Sequence, residues 1–419
     1  MSADTGAWAN VTVEDCCEIL DRKRVPVNGE DREKRIGEVP YYGANGLQGY
    51  IDTFIFDEPL ILIAEDGGRF DEYATRPIAY RISGKSWVNN HAHVLKADEA
   101  YCQDAIFYSL EHKDIQSFIV GGTRSKLNQS ALRAITISLP ESKSEQTKIA
   151  EILSTVDRAI KQTEALIAKQ QLLKTGLMQD ILTRGIDEHG SLRSEQTHKF
   201  KDSPLGRIPV EWEVKPMGQV STLITNGFVG VATPYYTESS DGVPYLYGNN
   251  IRCNRMDMRK LTRITRQFHE RQQKSQLNPG DMLTVQSGHI GTTAVVPDEL
   301  PESNCHALIL TKFKKDLLDP NFVSFYCNFC LETGTMGHLF VGSTIKHINT
   351  SDFAKFSIPF PSKEEQSEIA KRLLDLNFSI DGSAQGLSKL RALKTALMQD
   401  LLTGRKRVTA MLNGKESGA

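Results

Sequence analysis

The chain repeats itself. Residues 173–183 read LKTGLMQDILT and residues 393–403 read LKTALMQDLLT, nine identities in eleven positions at an offset of 220. The match runs upstream at the same offset through Gln146 and Gln366, Ile149 and Ile369, Ala150 and Ala370, Leu153 and Leu373, and Ile160 and Ile380. Beyond a one-residue gap the offset becomes 221, which pairs Gly121 with Gly342, Thr123 with Thr344, Asn128 with Asn349 and Ser130 with Ser351. Such periodicity means that one structural unit is built twice. Each half is a variable globular region followed by a similar helical segment.

Residues 144–183 contain no proline and are rich in Glu, Gln, Lys, Leu and Ala, which form helices readily. Steps of four and three from Ile149 meet Leu153, Val156, Ile160, Thr163, Ile167, Gln170, Lys174, Leu177 and Ile181, seven of the ten apolar, and eight of the ten in the series from Ile369 are apolar. That seam predicts a coiled coil. Gly382 and Gly386 weaken the second helix, so a bend or break is expected there. The segments around Pro140 and Pro361 each read as a last strand stopped by proline before a helix begins. Residues 184–203 read as a polar linker. The expected domains are therefore residues 1–140, a helical spacer with linker over 141–203, a second globular region over 204–361 and a distal helix over 362–419. Apolar, β-branched runs at 54–64 and 282–296 predict strands, and helical spacing appears at 104–110 and 321–330.

Composition narrows the function. Net charge is −2, the ordinary balance of a globular protein, and no run of about 20 apolar residues could span a bilayer. The N-terminus lacks a basic segment followed by an apolar one, and seven scattered cysteines form no framework, so a reducing cytoplasm is expected. There is no Walker loop, no Gly-x-Gly-x-x-Gly after a strand, no Asn/Asp-Pro-Pro-aromatic methylase motif, no His-Glu-x-x-His, and no nuclease partner downstream of Pro297-Asp298. Cys327 and Cys330 lie in a predicted helix beside Phe325 and Phe329, as core residues do. His91 and His93 alternate as on a strand, without an evident third metal ligand. No catalytic centre and no metal site is predicted.

Several phrases resemble the specificity subunit of Type I restriction–modification systems. They are GRIPVEWEV at 206–214, LPESKSEQTKIAEIL and FPSKEEQSEIAKRL at the helix starts, the LMQD helix ends, YYGANGLQGYIDTFIF at 41–56 and GDMLTVQSGHIGTTAVVP at 280–297. In order and duplicated, they cover essentially the whole chain. The resemblance implies an α+β protein. Two mixed α/β target-recognition domains with curved sheets are separated by two long helices packed as an antiparallel coiled coil. It also implies that each domain reads one half of a bipartite, asymmetric site on double-stranded DNA. The helices then bind two modification (adenine-N6 methyltransferase) subunits, and restriction (helicase-nuclease) subunits join them. S-adenosylmethionine, ATP and Mg²⁺ belong to those partners, this chain holding no cofactor and catalysing nothing itself. The rival reading is a coiled-coil scaffold that binds only proteins.

Base reading needs amide, guanidinium and imidazole groups on loops, positioned by phosphate contacts. In the first region the candidates are Tyr41, Tyr42 and Asn45 in one Gly-punctuated loop, Asn89, Asn90 and His91 in another, and Thr123, Arg124 and Lys126 in a small-residue turn. The repeat counterpart of that turn carries Thr344, Lys346 and His347. Asn226 and Phe228, then Tyr247, Asn249 and Asn250, then Gln286, Ser287 and His289 offer similar groups in the second region. Between Arg252 and Lys274, eight cations stand against Asp257 and Glu270, a local +6. Arg252 and Arg255 are taken from that stretch as DNA contacts.

Overall fold

The computed structural model describes residues 7–121, 125–343 and 346–413. The fold divides into two compact units, one formed by the residues up to Ala165 together with those from Ala384 onward, the other by Leu166–Ser383. Each unit thus combines one globular region with part of each long helix.

In the first unit one four-stranded antiparallel sheet runs Cys17–Ile19, Ala92–Ala97, Leu60–Ala64, Ala79–Ile82. A second runs Gly46–Ile51, Val39–Gly43, Lys85–Val88, Phe56–Asp57, with its central pair parallel. The second unit repeats both. One sheet runs Ser221–Asn226, Leu308–Phe313, Met282–Val285, Thr293–Val295. The other runs Thr262–Ile264, Val243–Leu246, Ser303–Cys305, Gln276–Leu277, and again only its central pair is parallel. The duplication therefore extends through the globular regions, upstream of the repeat that the sequence shows from Gly121 and Gly342 onward.

Leu60–Ala64 explains the shared layout. All five residues are buried. With period two, Ile61 and Ile63 point into the core that also holds Ile106 and Phe107, while Leu60 and Leu62 point into a separate core with Phe56 and Val88. A strand that feeds two cores reads as an unbroken apolar run. Each such side chain contributes about 1.5–3 kcal/mol through burial.

Helices Gln103–Glu111 and Pro320–Glu332 lie where helical spacing predicted them. The second begins with Asp319 capping the amides of Asn321 and Phe322, and Pro320 takes the first turn, where a missing N–H costs nothing. Cys327 and Cys330 are buried inside it. The strands Thr136–Pro140 and Ser357–Phe360 end at the prolines and pair with Trp8–Thr12 and Glu213–Pro216.

The long helices span Lys143–Thr183 and Lys363–Leu401. Within the first unit their segments run antiparallel, as Asp157 pairs with Lys394 at 2.8 Å and Glu164 with Arg391 at 2.7 Å. In the second unit Gln170 donates to Ser379 at 2.9 Å. Of the bend or break expected at Gly382 and Gly386, the break does not occur, since the helix passes through both. A helical glycine costs only about 1 kcal/mol against alanine, which the remaining turns absorb. The expected linker over 184–203 is likewise more ordered than its polarity predicts. It holds the bridge Ile186–Leu192, the strand Phe200–Ser203 and the buried Arg193.

Candidate nucleic-acid interface

Parallel strands leave their loops at one end. In the first unit, Val39–Gly43 and Lys85–Val88 are in register at Tyr41–Trp87 and Tyr42–Val88, so the loops that follow them emerge together. The Asn89 amide donates to the Tyr42 carbonyl at 3.0 Å, and the Glu65 amide to the His91 carbonyl at 2.8 Å. Asn45 Nδ2 reaches the Gly67 carbonyl at 3.1 Å, and Asp66 bridges Lys126 across the hairpin formed with Val120. Three loops, near residues 43–48, 65–69 and 89–91, and the hairpin positions Val120 and Lys126 form one cluster. The Gln48 side chain packs over Gly43, where a Cβ would lie 2.2 Å from its amide nitrogen and would make that side chain move aside.

The structure sorts the predicted residues of this cluster. Asn45 and Asn90 lie on its loops, and His91 is 40% exposed with Nδ1 held 2.7 Å from Asp66. Tyr42 is half-buried. Tyr41 and Asn89 are corrections. Tyr41 is buried with Ile51 and Trp87, its hydroxyl donating to Val27, because strand alternation turns it into the core. Asn89 is buried and caps its own turn, its Oδ1 accepting from the His91 amide at 2.8 Å. Lys126 pairs with Glu65 at 3.2 Å. Thr123 and Arg124 lie outside the described residues.

Behind this cluster sits a charged network that the sequence did not reveal. His93 is buried, with Nδ1 2.6 Å from Asp21 and Nε2 2.8 Å from the Leu127 carbonyl. Asp21, Glu65 and His93 each bring a ligand atom within 4.8 Å of the others. Those oxygens already accept from Arg24, Lys126, Gln129 and the Val94 amide, so cationic side chains fill the place that a metal would take. Burial acts to raise the Asp21 pKa, but the bonds from His93 and Val94 and the charge of Arg24 outweigh it and hold the carboxyl below its usual value.

The second unit assembles the same loops on Val243–Leu246 and Ser303–Cys305. Asn249, Ser287 and His289 are exposed, and Phe228, Tyr247 and Gln286 half-buried. Gln286 ties the hairpin down, its Nε2 donating to the Ile348 carbonyl at 3.0 Å. The bridges Val120–Lys126 and Val341–His347 make His347, not Lys346, the second unit's equivalent of Lys126. Lys346 is exposed, and Thr344 lies outside the described residues. Asn250 is a third correction. It is buried, accepting from the Tyr247 amide and donating to the carbonyls of Asp257 and Lys260, so it shapes the loop from within. Asn226 ends its strand with a buried Oδ1 that has no partner among the described residues.

The basic segment is weaker than its local count. Arg255 pairs with Asp381 at 2.9 Å and Arg266 with Glu302 at 2.8 Å, acids that lie outside the segment. Asp257 takes Arg259 at 2.7 Å, with Arg252 at 3.8 Å. Arg255 therefore reaches the distal helix rather than the loop cluster. The repeated lysines also differ. Lys394 binds Glu111 and Asp157, whereas burial lowers the Lys174 pKa beside Arg252, Arg255 and Glu332. One group that sequence reasoning passed over stands inside the second cluster: His306, whose ring lies 5.0 Å from Tyr247 and 6.1 Å from Phe228. A lone histidine between two strands carries no signal in a single sequence.

Amides, imidazoles and phenols at loop tips can form hydrogen bonds with base edges and stack on base faces. The model of the Type I restriction modification DNA specificity domain matches residues 6–170 and again 209–390. A protein of Methanocaldococcus jannaschii named as the MjaX specificity subunit of a type I restriction enzyme is 29% identical over 314 residues, 72% of this chain and 68% of that one. The MjaVIII specificity subunit of the same organism is 25% identical over 312 residues, 72% of this chain and 70% of that one. The crystal structure of the Type I restriction-modification S subunit from M. genitalium superposes with a TM-score of 0.66 at 14% identity. The match covers 96% of this chain and 97% of that one.

Proposed function

The chain belongs to the Type I restriction–modification DNA specificity family, and from that premise we propose that each unit reads one half of a bipartite, asymmetric site on double-stranded DNA. The observation that carries this reading is the twofold convergence of the same loops at the same end of the same parallel strand pair, with different residues at their tips. A shared scaffold with divergent loops is what two independent readers require. The family match also favours DNA recognition over a scaffold that binds only proteins.

The long helices serve two modification subunits, which carry S-adenosylmethionine and place the methyl group on adenine N6. Restriction subunits, where they join, bring ATP and Mg²⁺. The complex works in the cytoplasm, where the DNA is. Alone, the chain is expected to show no methyl transfer, nuclease or ATPase activity, measured with radiolabelled S-adenosylmethionine, plasmid cleavage and phosphate release. Methyl transfer by the isolated chain would overturn the adaptor reading. Co-expression with its modification subunit is expected to produce N6-methyladenine at one bipartite motif across the host genome, and a map without such a motif would count against it.

Phosphate contacts follow from exposure and pairing. Lys346→Ala is expected to weaken binding on all sequences and to make the log–log salt dependence shallower by about 0.9, the loss of one phosphate contact. Lys126→Ala is expected to change that slope less, because Glu65 already offsets its charge. Filter binding across a salt series measures both, and an unchanged slope for Lys346→Ala removes it from the interface.

A further inference from the structure

His306 follows the strand Ser303–Cys305 directly, at the end where the second unit's loops converge. Its amide donates to the Leu246 carbonyl at 2.9 Å, and the next amide, of Ala307, donates to Phe228 at 3.0 Å. Both neighbouring loops thus hold its backbone. Ala307 has φ of 48°, a left-handed conformation that residues other than glycine rarely adopt. Such a conformation persists only where the surrounding structure holds it, here through the hydrogen bonds to Leu246 and Phe228.

The ring itself is prepared. Tyr245 is buried, and its hydroxyl lies 3.3 Å from His306 Nδ1. Burial raises the pKa of that phenol, so it keeps its proton, and among the described residues it has no other acceptor to donate to. Burial lowers the pKa of His306, which keeps the imidazole neutral near pH 7. A neutral ring that accepts at Nδ1 carries its one proton on Nε2. The apolar side chains of Val229 and Val231, two-thirds or more exposed, extend from the same loop as Phe228.

We propose that His306 is a specificity-determining residue of the second domain, offering its Nε2–H to an acceptor on a base edge in the major groove. The assignment rests on the DNA-recognition reading above. The acceptors available there are purine N7, guanine O6 and thymine O4, and the exposed valines suit a neighbouring thymine methyl. Tyr245 acts as a positioning residue, since it fixes the tautomer without reaching the groove.

The test is selection from a randomised duplex library by the chain in complex with its modification subunit, for wild type, His306→Phe, His306→Gln and Tyr245→Phe. His306→Phe is expected to lower discrimination at one base position of one half-site by about 5- to 150-fold. The other half-site and the salt dependence stay unchanged. His306→Gln keeps a donor, so it should retain part of the preference, and Tyr245→Phe should relax the same position more weakly. If His306→Phe fails to fold, the glutamine and Tyr245 variants report on the same position. Preference unchanged at every position in folded variants, or a uniform loss on all sequences, overturns the role of His306. A wild-type complex that selects no sequence overturns the domain reading instead.

Discussion

Glu365→Ala is expected to destabilise the second unit by about 3–5 kcal/mol, the cost of leaving a buried charge without its partner. The Glu365 carboxylate is only 9% exposed and accepts four bonds. Two come from the buried Arg193 guanidinium, one from the Ile186 amide at 2.9 Å and one from the Trp212 indole at 3.1 Å. Alanine leaves Arg193 charged, buried and unpaired, and strands two neutral donors whose desolvation is not repaid. Gly185 shows how tightly the site is closed: with φ of 68°, a Cβ there would lie 2.2 Å from Glu365 and 2.4 Å from Trp212. The segment that follows the first long helix is thereby clamped to the start of the second. A loss of this size should lower the melting temperature of a unit of about 200 residues by roughly 6–20 °C. Differential scanning calorimetry measures it, and hydrogen exchange should show protection lost first at Ile186 and Trp212. Glu365→Gln keeps an acceptor and should fall between. A shift below 2 °C, under about 1 kcal/mol, would mean that the clamp adds nothing net.

The same device recurs in the first unit, which shows what the sequence could and could not reveal. Glu145, the repeat partner of Glu365, is buried and bound by Arg407, with Nε at 2.7 Å. The glutamates align at the repeat offset, but their arginines do not, lying 10 residues past Thr183 in one copy and 4 past Thr403 in the other. Identity along the chain therefore exposed the helices, whose seam needs a fixed periodicity, and missed the clamps, which need only a guanidinium on a turn. Repeated Asn128 and Asn349 were legible as a motif, and both precede a short helix, Gln129–Arg133 and Thr350–Lys355, but only Asn128 caps its helix, accepting from the Ala131 amide at 2.9 Å, while the Asn349 side chain donates to Asp352 at 3.1 Å. Loop composition located the loops that come together in each unit, because turns concentrate Gly and Asn. It could not say which side chains face outward. Tyr41, Asn89 and Asn250 were lost to the core because orientation depends on strand register and on hydrogen bonds within a loop. The pairing of Arg255 with Asp381, 126 residues away, and the seating of His306 are tertiary facts with no local trace.

Exchanging residues 1–140 for the corresponding region of a relative is expected to replace one half of the methylated site completely and leave the other half unaltered. The first cluster, near residues 43–48, 65–69, 89–91 and at Val120 and Lys126, lies within that segment. Their supports lie partly outside it. Ile149, Ala150, Leu153, Leu401 and Val408 share a core with Val13, Ile106 and Leu139, so the incoming region must be apolar at those contacts. The polar contacts are more demanding. Tyr108 donates to Asp157 at 2.7 Å, and Glu111 holds Lys394 at 2.9 Å, both partners belonging to the long helices. A relative with a phenol and a carboxylate at positions 108 and 111 should therefore give full methylation at the hybrid motif. One that lacks the carboxylate leaves Lys394, largely buried, with Asp157 as its remaining acid. Its yield of folded protein should drop, and Lys394→Met should restore the yield without altering the new motif, since packing and reading use different residues. Genome-wide mapping of N6-methyladenine in cells that co-express each hybrid with the modification subunit decides the matter. A change in both half-sites would mean that the two units do not read independently, and an unchanged motif would place recognition outside residues 1–140.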